Sequence, residues 1–170
     1  MFSKTFIATL LASAVAASPI AASTADTPYT LRTFPTGAGS IFRGLEINAD
    51  NGYLWVGKPT PGKHKHVSMY TAVQFSFDNG HVNIQGGQEL YLSDNSVAYA
   101  APNASIQYDA GWAFVAPNSA PNSVLGSLTY PGNDFWACPT SEANVYSIAV
   151  FPTDDRTYPV ACEKILLITQ

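Results

Sequence analysis

The segment from Leu45 to Gly57, LEINADNGYLWVG, indicates the fold class of this chain. It places Asn51-Gly52 between two runs in which apolar residues alternate with others, and Asn-Gly in that setting is the strongest short-range signal for a β-hairpin. Within Tyr53–Val56 the two rings would face one side of a strand and the two aliphatic side chains the other. The same dipeptide recurs at Asn79-Gly80, so the sequence predicts at least a second antiparallel hairpin.

Short strands separated by turn-forming residues continue along the rest of the chain. Beyond the first residues, Gly, Pro or a β-branched cluster interrupts every stretch that could keep a helical apolar period. The predicted strands are Tyr29–Phe34, Ile41–Ile47, Tyr53–Val56, Ala72–Phe77, Val82–Gln85, Glu89–Leu92, Val97–Ala100, Ile106–Tyr108, Trp112–Val115, Leu125–Leu128, Phe135–Ala137, Val145–Phe151 and Ile165–Ile168. Many short strands at this spacing predict a single-domain, all-β fold, an antiparallel β-sandwich or β-barrel, and the sequence leaves these two architectures open.

The first residues have the three-part layout of a secretory signal peptide. Lys4 supplies a positive charge, Phe6–Leu11 an apolar run, and Ala14-Val15-Ala16 the small residues of a cleavage site, with the cleaved bond expected between residues 16 and 25. The apolar run is far shorter than the roughly 20 residues that cross a bilayer, so a membrane anchor is not expected. The expected division is a signal peptide at 1–17, a flexible N-terminal segment at 18–27 and one all-β domain at 28–170.

Charge and composition exclude several classes of partner. Without Lys4, seven Lys and Arg stand against twelve Asp and Glu, so the formal charge falls from −4 to −5. Such a surface does not attract nucleic acid or an anionic membrane. Only 12% of the residues are charged while 46% are hydrophobic, which excludes disorder and fits an extracellular domain kept soluble by uncharged polar groups. The C-terminal KILLITQ lacks the spacer and tail of a lipid anchor.

Cys138 and Cys162 are the two cysteines of the chain. In the oxidising environment of a secreted protein such a pair forms a disulfide, and here it would close a separation of 24 positions. Two buried free thiols are the alternative. Neither cysteine has a second Cys or a His at metal-ligand spacing, so no metal is expected there.

Residues that could carry catalysis form no recognisable constellation. His64 and His66 could face one side of a strand and bind a metal, but the interleaved lysines oppose a cation. The chain lacks the G-x-S-x-G turn of many serine hydrolases. A glycosidase needs only two facing carboxylates, for which the candidates are Glu46, Glu89, Asp109 and Asp134. We therefore expect no catalytic residue, no metal and no cofactor, with a small hydrolase as the third-ranked class.

The aromatic residues and one sequon are the candidate binding and modification positions. Sugars stack on exposed rings, so Tyr53 and Trp55 are candidate glycan contacts; the competing interpretation is that rings fill the core of a β domain. Tyr99, Tyr108 and Trp112 continue the run of rings in the middle of the chain. Asn103 begins the single N-x-[ST] sequon, Asn103-Ala104-Ser105, and is the candidate N-glycosylation site.

Four segments of the C-terminal half and one nearer the front carry a similarity to a known protein family. The similarity lies in DAGWAFVAPNS, GNDFWACP, VYSIAVF and ACEKILLI, and toward the front in LEINADNGYLWVG. Together these segments resemble the phiA family of small secreted wall proteins of filamentous fungi and, more loosely, the ending of the Pir-type wall proteins of yeasts. The matching positions are Gly111, Trp112, Phe135, Cys138, Tyr146, Cys162 and Ile165.

The resemblance implies a secreted, wall-associated structural protein, non-enzymatic, which supports asexual development through phialide and conidium formation. Pir proteins attach to glucan through N-terminal Gln-rich repeats, which this chain lacks, so we expect non-covalent contact with a wall polysaccharide, β-glucan or chitin. The alternative is a secreted lectin-like or effector module that recognises a glycan.

Overall fold

Strands account for most of the part of the chain that the computed structural model describes. The described residues are 28–58, 73–103, 105–108, 111–115, 125–154 and 161–170, and none of them forms a helix. The expected signal peptide at 1–17 and the flexible segment at 18–27 lie outside these residues. The strands are β1 (Tyr29–Pro35), β2 (Ile47–Asp50), β3 (Tyr53–Val56), β4 (Gln74–Asp78), β5 (His81–Ile84), β6 (Gln88–Ser93), β7 (Ser96–Ala100), β8 (Ala113–Val115), β9 (Gly126–Thr129), β10 (Asn133–Pro139), β11 (Tyr146–Pro152) and β12 (Glu163–Thr169).

Two-residue turns build three of the hairpins. Asn51-Gly52 joins β2 to β3, Asn79-Gly80 joins β4 to β5, and Asp94-Asn95 joins β6 to β7. Both residues of each turn have positive φ, the conformation whose twist matches that of the flanking strands and which Asn, Asp and Gly adopt most easily. The hairpins predicted at the two Asn-Gly dipeptides are therefore confirmed.

When the antiparallel pairs are followed from β1 to each neighbouring strand in turn, they lead back to β1. Eight strands, β1, β4, β5, β6, β7, β11, β10 and β12, form a closed ring of antiparallel pairs. Between β7 and β11 the strand β3 pairs with both, β2 extends β3, and β9 and β8 continue from β12. The twelve strands therefore form one sheet, and its closure favours the barrel over a sandwich of two separate sheets.

Alternate residues of the strands fill the interior. Leu54 and Val56 on β3, Leu90 on β6 and Ile148 on β11 have no more than 1% of their surface exposed. Trp112 stacks on Phe135 with ring centroids 6.3 Å apart and closes part of the same core. An eight-stranded barrel has an interior narrow enough for side chains to fill. The buried side chains named above therefore form the hydrophobic core of the barrel.

Two predicted strands are wrong. The segment predicted as Ile41–Ile47 is a loop up to Glu46, because Gly44 takes a φ of 70° and turns the backbone so that its N–H donates to the Thr33 carbonyl. Residues Ile106–Tyr108 are not a strand, because their backbone belongs to a turn in which the Ile106 N–H donates to the Asn103 carbonyl. In the described part of the chain, no helix is long and apolar enough to cross a membrane.

Candidate functional site

Tyr53 and Trp55 lie on β3 with their side chains on the outer face of the barrel. Leu54 and Val56, which alternate with them, are fully buried. Tyr53 keeps 39% of its surface exposed, and its ring lies edge-on to Trp55 at 6.2 Å between centroids. The predicted division of this strand into an aromatic and an aliphatic face is confirmed.

Trp55 is held in place by contacts on two sides. Its indole N–H donates to the Asp50 carbonyl at 2.9 Å, and the Lys58 ammonium lies 4.7 Å from the ring centroid, within the range of a cation–π contact. One face of the indole is therefore occupied by this chain. Of the two rings, Tyr53 is the more exposed to solvent, and Trp55 packs edge-on against it.

Asp50 connects these rings to a group of hydrogen-bonding side chains. Its carboxylate is 2.9 Å from the Lys58 ammonium and accepts from the Asn51 side-chain amide at 3.0 Å. Only 9% of Asp50 is exposed, so the ion pair is partly shielded from water. Oriented carboxylate, amide and ammonium groups beside an exposed ring can fix hydroxyl groups of a ligand that stacks on the ring.

Lys58 reaches this position because Gly57 allows the chain to turn sharply after β3. Gly57 has a φ of 82°, and a Cβ built on it would lie 2.1 Å from the Asn144 carbonyl oxygen. Only glycine fits so close an approach. Lys58, Asp50 and Asn51 were not predicted as site residues; their neighbourhood to Tyr53 and Trp55 in the hairpin is the signal that could have indicated them.

Asn103, the predicted glycosylation site, is exposed and lies in a turn. Its side-chain carbonyl accepts from the Ser105 N–H at 2.9 Å, an Asx-turn. Ser105, which completes the sequon, is exposed as well. The acceptor amide is therefore accessible to a modifying enzyme, and glycosylation there stays a prediction.

Cys138 and Cys162 form the predicted disulfide, with an S–S distance of 2.01 Å and a Cα–Cα distance of 4.2 Å. Cys138 belongs to β10, and Cys162 immediately precedes β12. The neighbouring pair Ala137 and Glu163 is in register between these strands. The bond therefore joins two adjacent strands of the barrel.

Of the four acidic residues considered for glycosidase chemistry, the three that the structure describes each have a basic partner. Glu46 pairs with Arg32 at 2.8 Å, Asp134 with Lys164 at 2.7 Å, and Glu89 with the His81 ring. Asp109, His64 and His66 lie outside the described residues. Within the residues that the structure does describe, no group of three or more His, Cys, Asp or Glu side chains is placed to hold a metal ion.

The other rings divide between core and surface. Trp112 is buried, and Tyr99 packs against the core. Tyr108 lies outside, edge-on to Tyr91 of β6 at 5.8 Å, and its hydroxyl donates to the Ala101 carbonyl at 2.6 Å. Tyr91 was not singled out in the sequence, because its strand has no second ring to mark an aromatic face.

Comparison of the chain with protein-family models, with curated proteins and with solved structures finds no match.

Proposed function

We propose that this chain is a secreted, non-enzymatic structural protein that contacts cell-wall polysaccharide through the outer face of the β2–β3 hairpin. Within that class, the sequence motifs around Trp112, Cys138 and Cys162 favour the phiA family of filamentous fungi and a role in phialide and conidium formation. An accessible sequon at Asn103 and a disulfide both suit a protein that passes through an oxidising compartment.

The observation that carries the proposal is the exposed Tyr53 ring beside an ordered polar group. Asn51 and Lys58 are both already bonded to the Asp50 carboxylate, so the orientation of these groups does not have to be fixed when a ligand arrives. A ring with hydrogen-bonding groups at its edge matches a pyranose, which has an apolar face and a rim of hydroxyls. The site needs no charge on the ligand, in keeping with a neutral polysaccharide.

Pairing of the acids supports a non-enzymatic role. A general acid in glycoside hydrolysis requires a carboxyl group whose proton is available at the scissile bond. Glu46, Glu89 and Asp134 each contact a basic partner instead. These contacts are those expected of surface ion pairs that stabilise a barrel.

Co-sedimentation of the purified protein with insoluble β-glucan, chitin and isolated fungal wall tests the proposal. We expect retention on at least one of these polymers and its loss in Tyr53→Ala. Phe34→Ala is the matched control, because Phe34 is also 39% exposed but lies on β1. The control should bind as the unchanged protein does, and circular dichroism should show that both variants are folded.

Failure of the unchanged protein to bind any of the three polymers would contradict the proposal. Binding that survives Tyr53→Ala but not Phe34→Ala would place the contact on β1 and not on the β2–β3 hairpin. A lectin-like or effector role is distinguished by inhibition, since a soluble monosaccharide that releases the protein from the wall indicates recognition of a terminal sugar.

A further inference from the structure

A crevice lies between the β1–β4 and β8–β9 strand pairs, where β1 begins and β12 ends. Tyr29, the first residue of β1, and Thr169, the last residue of β12, both line it. The Phe114 ring of β8 lies 4.9 Å from the Tyr29 ring and 5.9 Å from the Phe77 ring of β4, between centroids. Three aromatic rings therefore surround this space, which we call the Thr169 crevice.

The wall of the Thr169 crevice is almost entirely carbon, and none of the described residues that line it has a charged side chain. Leu31 and Leu128, both buried, form part of the wall beside the rings. The enclosed part has a volume of about 20 Å³, and beyond it the crevice opens to solvent. The inner space thus has room for one group of about the size of a water molecule.

Thr169 places an unpartnered hydroxyl group in this apolar surrounding. The residue is 3% exposed, and its Oγ1 has no hydrogen-bond partner among the described residues. Its cross-strand partner on β1 is the apolar Leu31, and its partner on β9 is Gly126, which has no side chain to fill the position beside the hydroxyl. Because a buried hydroxyl without a partner is costly, Thr169 is available to a polar group that enters the crevice.

The size and polarity of the crevice favour one kind of occupant. A buried water makes about two to four hydrogen bonds, which a wall of carbon around one hydroxyl does not provide. A charged group would lose its water without compensation. A hydroxyl group attached to an apolar body needs fewer bonds than a water, and its apolar body gains by covering the rings at the mouth.

We propose that the Thr169 crevice binds a small uncharged alcohol. The ligand's hydroxyl hydrogen-bonds to Thr169 Oγ1, and its apolar body lies against the rings of Tyr29, Phe77 and Phe114. The crevice is formed by strands other than β2 and β3, so this site is separate from the candidate polysaccharide contact and does not depend on it.

NMR titration of the isotope-labelled protein with benzyl alcohol, and with toluene as the matched probe without a hydroxyl, tests the inference. We expect benzyl alcohol to produce saturable shifts in the amide signals of Phe114, Leu128 and Thr169. Thr169→Val should weaken the binding of benzyl alcohol roughly threefold to tenfold, the effect of one hydrogen bond, and leave the affinity for toluene unchanged. Thr169→Ser keeps the hydroxyl and should retain the affinity for benzyl alcohol.

A second variant tests the wall of the crevice. Phe114→Leu should weaken the binding of both probes, because it removes a ring from the mouth, and it replaces Thr169→Val as the test if that variant does not fold. Tyr53→Ala is the control, since Tyr53 does not line the crevice, and it should bind benzyl alcohol as the unchanged protein does.

The inference is overturned if benzyl alcohol produces no saturable shift at the crevice, or if Thr169→Val affects benzyl alcohol and toluene equally. A crystal structure grown with benzyl alcohol that shows only a water on Thr169 Oγ1 also overturns it. Retention of the protein on insoluble polymer, and its loss in Tyr53→Ala, is measured independently of all these results.

Discussion

Thr33 and Thr169 show how differently two buried hydroxyl groups can be accommodated in one barrel. Both face the interior, with 0% and 3% of their surface exposed. The Thr33 hydroxyl accepts from the Leu45 N–H at 3.2 Å and lies 3.4 Å from the Leu45 carbonyl, to which it donates. Thr169 Oγ1 has no hydrogen-bond partner among the described residues. It lines an apolar crevice with Tyr29 and Phe114.

We expect Thr169→Val to raise the free energy of unfolding by about 1 kcal/mol, because it removes a buried polar atom that folding strips of water without replacement. Thr33→Val, the matched change on the adjacent strand, should lower it by about 1 kcal/mol through loss of the Leu45 bonds. Urea denaturation at constant m-value measures both. Destabilisation by Thr169→Val would show that this hydroxyl is satisfied in solution.

At the scale of elements, the β2–β3 hairpin unites the predicted and the unpredicted parts of the candidate site. Its turn and its two faces follow from local sequence. The course of the chain at the end of β3 does not follow from local sequence. There Gly57 lies against the backbone of Asn144, in the loop before β11. That contact brings Lys58 over Trp55, so a distant loop determines how much of the indole is open.

Gly57→Ala should destabilise the protein by at least about 2 kcal/mol, since a Cβ there would need both a strained φ and displacement of the Asn144 backbone. Gly37→Ala is the control, as its Cβ would meet nothing within 4 Å, and it should change stability by less than about 1 kcal/mol. Thermal unfolding of the two variants compares them directly. Similar melting temperatures would mean that the Asn144 loop moves away without loss of packing.

At the scale of the whole molecule, the first and last strands close the barrel. β1 pairs with β12 over five residue pairs, from Leu31–Thr169 to Pro35–Ile165, and Thr30 and Gln170 extend the ladder with reciprocal backbone hydrogen bonds. β12 is also the strand that the disulfide ties to β10. The covalent bond therefore reinforces the part of the sheet on which closure depends.

Loss of the disulfide should lower the free energy of unfolding by about 3.5 kcal/mol, the chain-entropy value for a loop of this length. The variant that combines Cys138→Ala with Cys162→Ala and the unchanged protein in reductant should give the same result in denaturant titrations. A loss below about 1 kcal/mol would indicate that the unfolded chain is already restricted between these strands.

The sequence alone determined the features that depend on neighbouring residues. Asn-Gly dipeptides specified two hairpin turns because few residues tolerate positive φ, and alternation assigned Leu54 and Val56 to the interior because side chains switch faces at each position of a strand. With two cysteines in the chain, the disulfide had only one pairing. The all-β class followed from the same local signals.

Only the tertiary structure decided which strands lie side by side and therefore which surfaces exist. Pairing of β1 with β12, the placement of Tyr53 and Tyr91 on either side of Ala98, and the approach of Gly57 to Asn144 all join distant parts of the chain. Such contacts result from many weak interactions summed over the core, which no short segment encodes. For the same reason the segment at 41–46 became a loop, since the turn at Gly44 bonds it to β1.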